Sequence, residues 1–153
     1  MRYEYIEPLL ISTMKVLANV MQSELRMGDV SLIRPAEIKS DIAVIIKLEG
    51  DSTGGIIVNM GRETALNICN VMTGEKFKTL TPLALDAISE LTNMIAGNAT
   101  SAINDLGFDF KILPPSSLTK EEMITGAPWL EIFQVPLLTR CGEIKINIAM
   151  RTN

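Results

Sequence analysis

In the stretch TPLALDAISELTNMIAGNATSAINDLG, Thr81 to Gly107, the polar residues Asp86, Glu90 and Asn93 follow one another at steps of four and three. With Gly97 they fall on one side of a helix, because residues three and four apart lie one turn above each other. The chemistry open to such a row is narrow. The Asn93 carboxamide is no base near neutral pH, but it accepts one hydrogen bond from a water and donates another, which fixes that water for attack. A glutamine does this beside a phosphoryl group in Ras-type GTPases. Glu90, one turn earlier, can ion-pair with a partner's lysine or serve as a weak base. Neither residue activates phosphate or holds a metal alone, so the row makes sense as half an active site, inserted into a partner that supplies electrophile, metal and cation.

Solvation is the competing explanation. Ala84, Ile88, Leu91, Ile95, Ala99, Ala102 and Leu106 fall on the opposite side, the pattern of a helix lying on a sheet with its polar row in water. Two features point further. The row holds no cation, and Gly97 costs about 1 kcal/mol of helix propensity relative to alanine. A position without a side chain beside Glu90 and Asn93 lets another surface come close, whether a partner or a strand or loop of this chain.

The helix that positions the row is expected over Pro82 to Leu106, with the Thr81 hydroxyl as N-cap, a proline at the first helical position and Gly107 closing the end. A second long helix is predicted from Tyr3 to Gln22, where Ile6, Leu10, Met14, Leu17 and Met21 share a face and Glu7, Lys15 and Asn19 point away; Pro8 is tolerated there only in the first turn. VSLIRP reads as a strand, and Asp41–Glu49 with Gly55–Met60 as a hairpin. GRETALNICNVMTG gives a short helix ended by Gly74. Three further strand candidates follow, in FDFKILPP, WLEIFQVPLLT and CGEIKINIAM. The halves therefore repeat as long helix, short strand ending at proline, loop and hairpin, although aligning Glu7 with Glu90 puts Leu10 where Asn93 stands. Only one copy carries the polar pair.

Composition removes other chemistries. At 153 residues a single domain, 1–153, is expected, and a mean hydropathy of +0.25 suggests a sheet covered on at least one face. The 14 basic and 18 acidic residues give a net charge of −4 with no dense Lys/Arg cluster, so nucleic acid is not an expected partner. The absence of histidine excludes Ser/His/Asp triads and ordinary zinc sites together. Cys69 and Cys141, far apart and without a CxxC neighbour, read as small core or surface residues. Glu4, Glu7 and Lys15 break any signal-peptide or membrane-spanning pattern at the N-terminus, and a cytoplasmic protein with no membrane contact is expected.

The combination LALDAISELTNMIAGNA … ILPPS resembles the CheX/CheC/FliY family of bacterial chemotaxis phosphatases. Asp86, Glu90 and Asn93 match its signature helix, and Pro114 and Pro115 follow one or two residues sooner than is usual. The likeness extends to TGGIIVNMGRETALNICNVMTG and to the order of elements along nearly the whole chain. A single Glu/Asn pair is similar to the CheX members, whereas CheC-type members carry two. The resemblance implies an α+β, CheC-like single domain: two helix–strand–hairpin pseudo-repeats sharing one sheet, with two long helices packed on one face. It implies a phosphatase acting on the aspartyl phosphate of a CheY-like response regulator. Glu90 would then pair with a regulator lysine and Asn93 would orient the attacking water; Asp86 and Gly97, from their place in the row, are expected to support the partner contact. No cofactor of its own is implied, Mg2+ coming with the regulator. A homodimer is implied as well, with a strand such as Glu143–Ala149 at a sheet edge pairing between subunits.

Two other classes stay open at this stage. A module that docks on a response regulator or flagellar component without hydrolysis would use the same row, although docking alone needs no carboxamide. A structural dimerisation domain would require the row to be covered by the chain itself. Among the remaining residues, Trp129 is expected to pack against a helix, the methionines including Met14, Met21, Met72 and Met94 to fill the core, Glu121 and Glu122 to solvate a turn, and Asn98 to bond neighbouring backbone or the first helix.

Overall fold

Apolar spacing of three and four builds the first helix, α1, over Tyr3–Met21. Ile6, Leu9, Leu17 and Met21 are buried, Leu10 and Met14 pack against the core, and Glu7, Lys15 and Asn19 are exposed. The computed structural model describes residues 3–114, 116–117 and 130–151. Trp129, Pro115, Glu121 and Glu122 lie outside these. Contrary to the sequence expectation, Pro8 stands in the second turn of the described helix. An interior proline costs about 3 kcal/mol, but full burial of Tyr5, Ile6 and Leu9 around it gains roughly 1.5–3 kcal/mol for each large apolar side chain. Packing outweighs the lost backbone bond.

The strands are β1 (Arg26–Met27), β2 (Ser31–Ile33), β3 (Ile42–Gly50), β4 (Gly54–Met60), β5 (Phe110–Ile112), β6 (Ser116–Ser117), β7 (Leu130–Thr139) and β8 (Gly142–Arg151). They form one antiparallel sheet in the order β1-β7-β8-β4-β3-β5, with β2 also on β7 and β6 also on β3. The hairpins β3–β4 and β7–β8 meet at the sheet centre through β4 and β8, where Ile57 lies opposite Asn147. Each half's short strands pair with the other half's hairpin. The two edges also share one irregularity. Arg26 faces Leu138 and Ser31 faces Gln134, so the edge gains one residue on β7. Ile112 faces Leu48 and Ser116 faces Ile45, the same gain on β3. This repeated bulge is a structural trace of the duplicated layout.

The strand Glu143–Ala149 is not an edge. It lies within β8, paired on both sides, and Ile144, Ile146, Asn147, Ile148 and Ala149 are all buried. Its isoleucines join the main core under the helices, while Ala149 joins Ile38, Ile57 and Ile132 in a smaller cluster on the other face. Burial on both faces is what a central strand requires. The polar Asn147 is accommodated there by donating to Ile57 O at 3.0 Å and to Asn59 Oδ1 at 2.5 Å, and by accepting from Gln134 Nε2 at 2.9 Å.

Two more helices complete the layer over the main core: α2, Arg62–Thr73, and α3, Pro82–Asp105. Gly74 ends α2 in the left-handed conformation at φ 75°, as its sequence position predicted. The long helices α1 and α3 pack against each other, and α2 packs on α3. Tyr5 of α1 meets Phe108 and Phe110 edge-on, with ring centroids 4.8 and 5.2 Å apart, which ties α1 to the chain leaving α3.

Candidate functional site on the exposed face of the third helix

Both ends of α3 are fixed by side chains. The Thr81 hydroxyl accepts a hydrogen bond from the Ala84 amide at 3.2 Å, and Pro82 begins the helix. At the other end Asn104 accepts from the Phe110 amide at 2.9 Å and donates to its carbonyl at 3.0 Å. Ala84, Ile88, Leu91, Ile95 and Ala99 are buried as their spacing predicts. Leu106 is not: it stands past the last helical residue, 63% exposed, where helical spacing no longer sets its direction.

Opposite the buried side, Asp86, Glu90 and Asn93 are exposed. Among the described residues their side chains have no hydrogen-bond or ion-pair partner. Glu90 and Asn93 are one helical step apart, which puts their Cβ atoms about 5–6 Å from each other. A free carboxylate and a free carboxamide thus project side by side from one continuous helix. That favours a surface read by a partner over a row covered by the chain itself. Gly97 continues the row one turn on, half-buried, and a Cβ built there meets nothing within 4 Å. No internal strand or loop among the described residues accounts for it.

Neighbouring side chains add detail. Asn98 donates to Met94 O at 2.9 Å, so it bonds the helix that carries it. Leu83, 60% exposed, and Met94, 39% exposed, flank the row on the same side. Met94 is therefore no core filler, and neither residue was expected at the surface from the sequence. The signal was present: at 100° per residue each lies within a quarter turn of Asp86. Cys69 and Cys141 are buried free thiols, and burial pushes both above their usual pKa. Among the described residues no group of three or more His, Cys, Asp or Glu is placed to hold a metal. No described helix is long and apolar enough to cross a membrane.

Comparison with known proteins shows the family and the fold. Residues 42–136 match the family described as chemotaxis phosphatase CheX. The chain is 29% identical over 119 residues to the CheY-P phosphatase CheX of Thermotoga maritima, covering 77% of each sequence. It is similar to CheX in the crystal structure of the CheX–CheY–BeF3–Mg2+ complex from Borrelia burgdorferi, with 32% identity, a TM-score of 0.82 and coverage of 99% of this chain and 100% of that one. A CheC-like superfamily protein from Shewanella sp. PV-4 shares the fold at a TM-score of 0.84 and 24% identity, over 99% of this chain and 100% of the other.

Proposed function

Because the chain belongs to the chemotaxis phosphatase CheX family, we propose that it is a phosphatase that hydrolyses the aspartyl phosphate of a CheY-like response regulator, with Asn93 and Glu90 of α3 as the residues that enter the regulator's site. The observation that carries this reading is that Glu90 and Asn93 project, exposed, from one face of a capped helix with no partner among the described residues. The T. maritima relative supports the reaction, and the Borrelia complex supports the partner.

In this reading α3 docks over the regulator's phosphoaspartate. The Asn93 carboxamide oxygen accepts a hydrogen bond from a water, while its amide group donates a second one, so that the water's lone pair faces phosphorus in line with the aspartyl oxygen. The water oxygen bonds to phosphorus and the bond to the aspartyl oxygen breaks. Its electron pair returns to the aspartate, which leaves as a carboxylate. Inorganic phosphate is the other product, and the water's surplus proton passes to phosphate or solvent. Positioning is the whole of Asn93's contribution, consistent with a loose phosphoryl-transfer transition state that asks little covalent chemistry of the protein. Glu90 pairs with a regulator lysine and holds the two proteins in register. Asp86 keeps the row anionic. Mg2+ is present in the Borrelia complex; here it is expected to come with the regulator and to offset charge on the phosphoryl oxygens.

The protein is proposed to act as one domain, as a homodimer in the cytoplasm. β8 is no edge; of the sheet's two edges, β1–β2 rather than β5–β6 is the one proposed to take a second copy. Among the described residues its outer side pairs with no strand, and Met27, Val30 and Leu32 are exposed there. The test of the function is phosphate release from a purified phosphorylated CheY-like regulator with and without the protein. Acceleration is the expected result; an unchanged decay of the phosphoaspartate contradicts the reading.

A further inference from the structure

Gly97 lies in the interior of α3, a place where glycine destabilises a helix relative to alanine. Other glycines of the chain have a local reason. Gly142 has φ 129° and its missing side chain makes room for Thr64, Gly74 has φ 75° at a helix end, and a Cβ on Gly55 would stand 2.9 Å from Ile46 O. Gly97 has neither a positive φ nor a neighbour: a Cβ there would enter open space. Nothing in the described chain needs the glycine, and the helix is weaker for it.

We infer that Gly97 is a clearance position for the regulator: it leaves α3 bare one turn beyond Asn93, so the partner surface around the phosphoaspartate settles against the helix backbone. The inference rests on the proposed phosphatase reading and deepens it. Its physical basis is reach. The asparagine carboxamide sits only two bonds from Cα, so its end can lie inside a partner's cleft only where the helix itself comes close. Gly97 occupies the same side of the helix as Glu90 and Asn93, with its Cα about one turn, roughly 5–6 Å, from that of Asn93. A side chain at that point as long as that of Asn93 would hold the partner off by about the depth Asn93 has to enter. Met94, exposed on one flank of the row a turn before Gly97, offers the partner an apolar contact beside the clearance. Gly97 is a positioning residue in this account, acting through where it lets Asn93 go.

The test pairs stability with turnover in Gly97→Ala and Gly97→Gln. Removing an interior helical glycine should raise Tm by about 2–4 °C in a chain of this size. Phosphate release from the phosphorylated regulator should nevertheless fall, about tenfold in kcat/KM for Gly97→Ala and about a hundredfold for Gly97→Gln, as expected when a positioned group is displaced by about an ångström or more. A merely structural glycine would move both quantities the same way. Wild-type release in Gly97→Gln, with release lost in Asn93→Ala, overturns the Gly97 assignment and leaves the phosphatase reading standing. No release by the wild type overturns both.

Discussion

Asn104 grips the backbone of Phe110 from both sides, accepting from its amide at 2.9 Å and donating to its carbonyl at 3.0 Å. This clasp turns the chain from the end of α3 into β5, and β5 is hydrogen-bonded to β3, so it ties the site-bearing helix to the sheet. Phe110 in turn carries the edge-on contact with Tyr5 of α1.

Asn104→Ala removes both bonds and leaves two backbone groups short of partners. The expected loss is about 2 kcal/mol, at roughly 1 kcal/mol per bond. Urea unfolding monitored by circular dichroism measures it, and a midpoint equal to the wild type's would show that the clasp does not hold α3.

The Asn59–Asn147 pair is the polar element at the sheet centre. Both residues are fully buried, and Asn59 also donates to Ser40 Oγ at 2.9 Å. Asn147→Ala strands the Asn59 carboxamide oxygen and the Gln134 amide, which costs about 1–3 kcal/mol for each buried group left unsatisfied. A Tm drop much larger than that of Thr81→Ala, where loss of an N-cap costs about 1 kcal/mol, is the expected ordering; the reverse order would place the weight on the cap.

Burial raises the pKa of Cys69 and Cys141 above the usual 9.0; for Cys141 the Arg140 charge works in the opposite direction. Above pH 9.0 the unfolded chain releases these protons while the folded chain keeps them, so the unfolded state binds fewer. The stability they contribute is complete below that pH and is lost as pH rises toward the folded values. Unfolding midpoints at about pH 8 and about pH 10 should therefore fall more steeply for the wild type than for a Cys69→Ala, Cys141→Ala double variant. Equal slopes would mean that the thiols are not held protonated by the fold.

The β1–β2 edge predicts the assembly. Leu32 is 59% exposed on β2, and β2 bonds only to β7 among the described residues. Light scattering should give a dimer for the wild type, and Leu32→Lys should shift it toward monomer, as charge on an edge strand opposes strand addition. A monomeric wild type would refute the homodimer.

What the sequence made legible was local. The bounds of α3, its Thr81 cap and the exposure of Asp86, Glu90 and Asn93 all follow from a 3.6-residue period and from cap chemistry within four residues of each helix end. The failures were non-local. GEIKINIAM has Lys145 and Asn147 on one side and so resembles a half-wet edge strand, yet Asn147 is buried because Asn59 and the Ile57 carbonyl, on the neighbouring strand β4, meet its amide. No reading of β8 alone contains that strand. Met94 misled in the other direction: its apolar side chain reads as core filling, although its angle on the helix puts it beside the polar row. Pro8 stays inside α1 because the core around it outweighs a propensity rule.

Asn93 is proposed to orient the water that attacks the regulator's phosphoaspartate. The most direct test of that role is phosphate release from a phosphorylated CheY-like regulator under single-turnover conditions, comparing wild type, Asn93→Ala and Glu90→Ala, with circular dichroism to show that each is folded. Asn93→Ala is expected to bind the regulator still but to lose catalysis by about a hundredfold or more, whereas Glu90→Ala weakens engagement together with turnover. Wild-type release by folded Asn93→Ala would contradict that role.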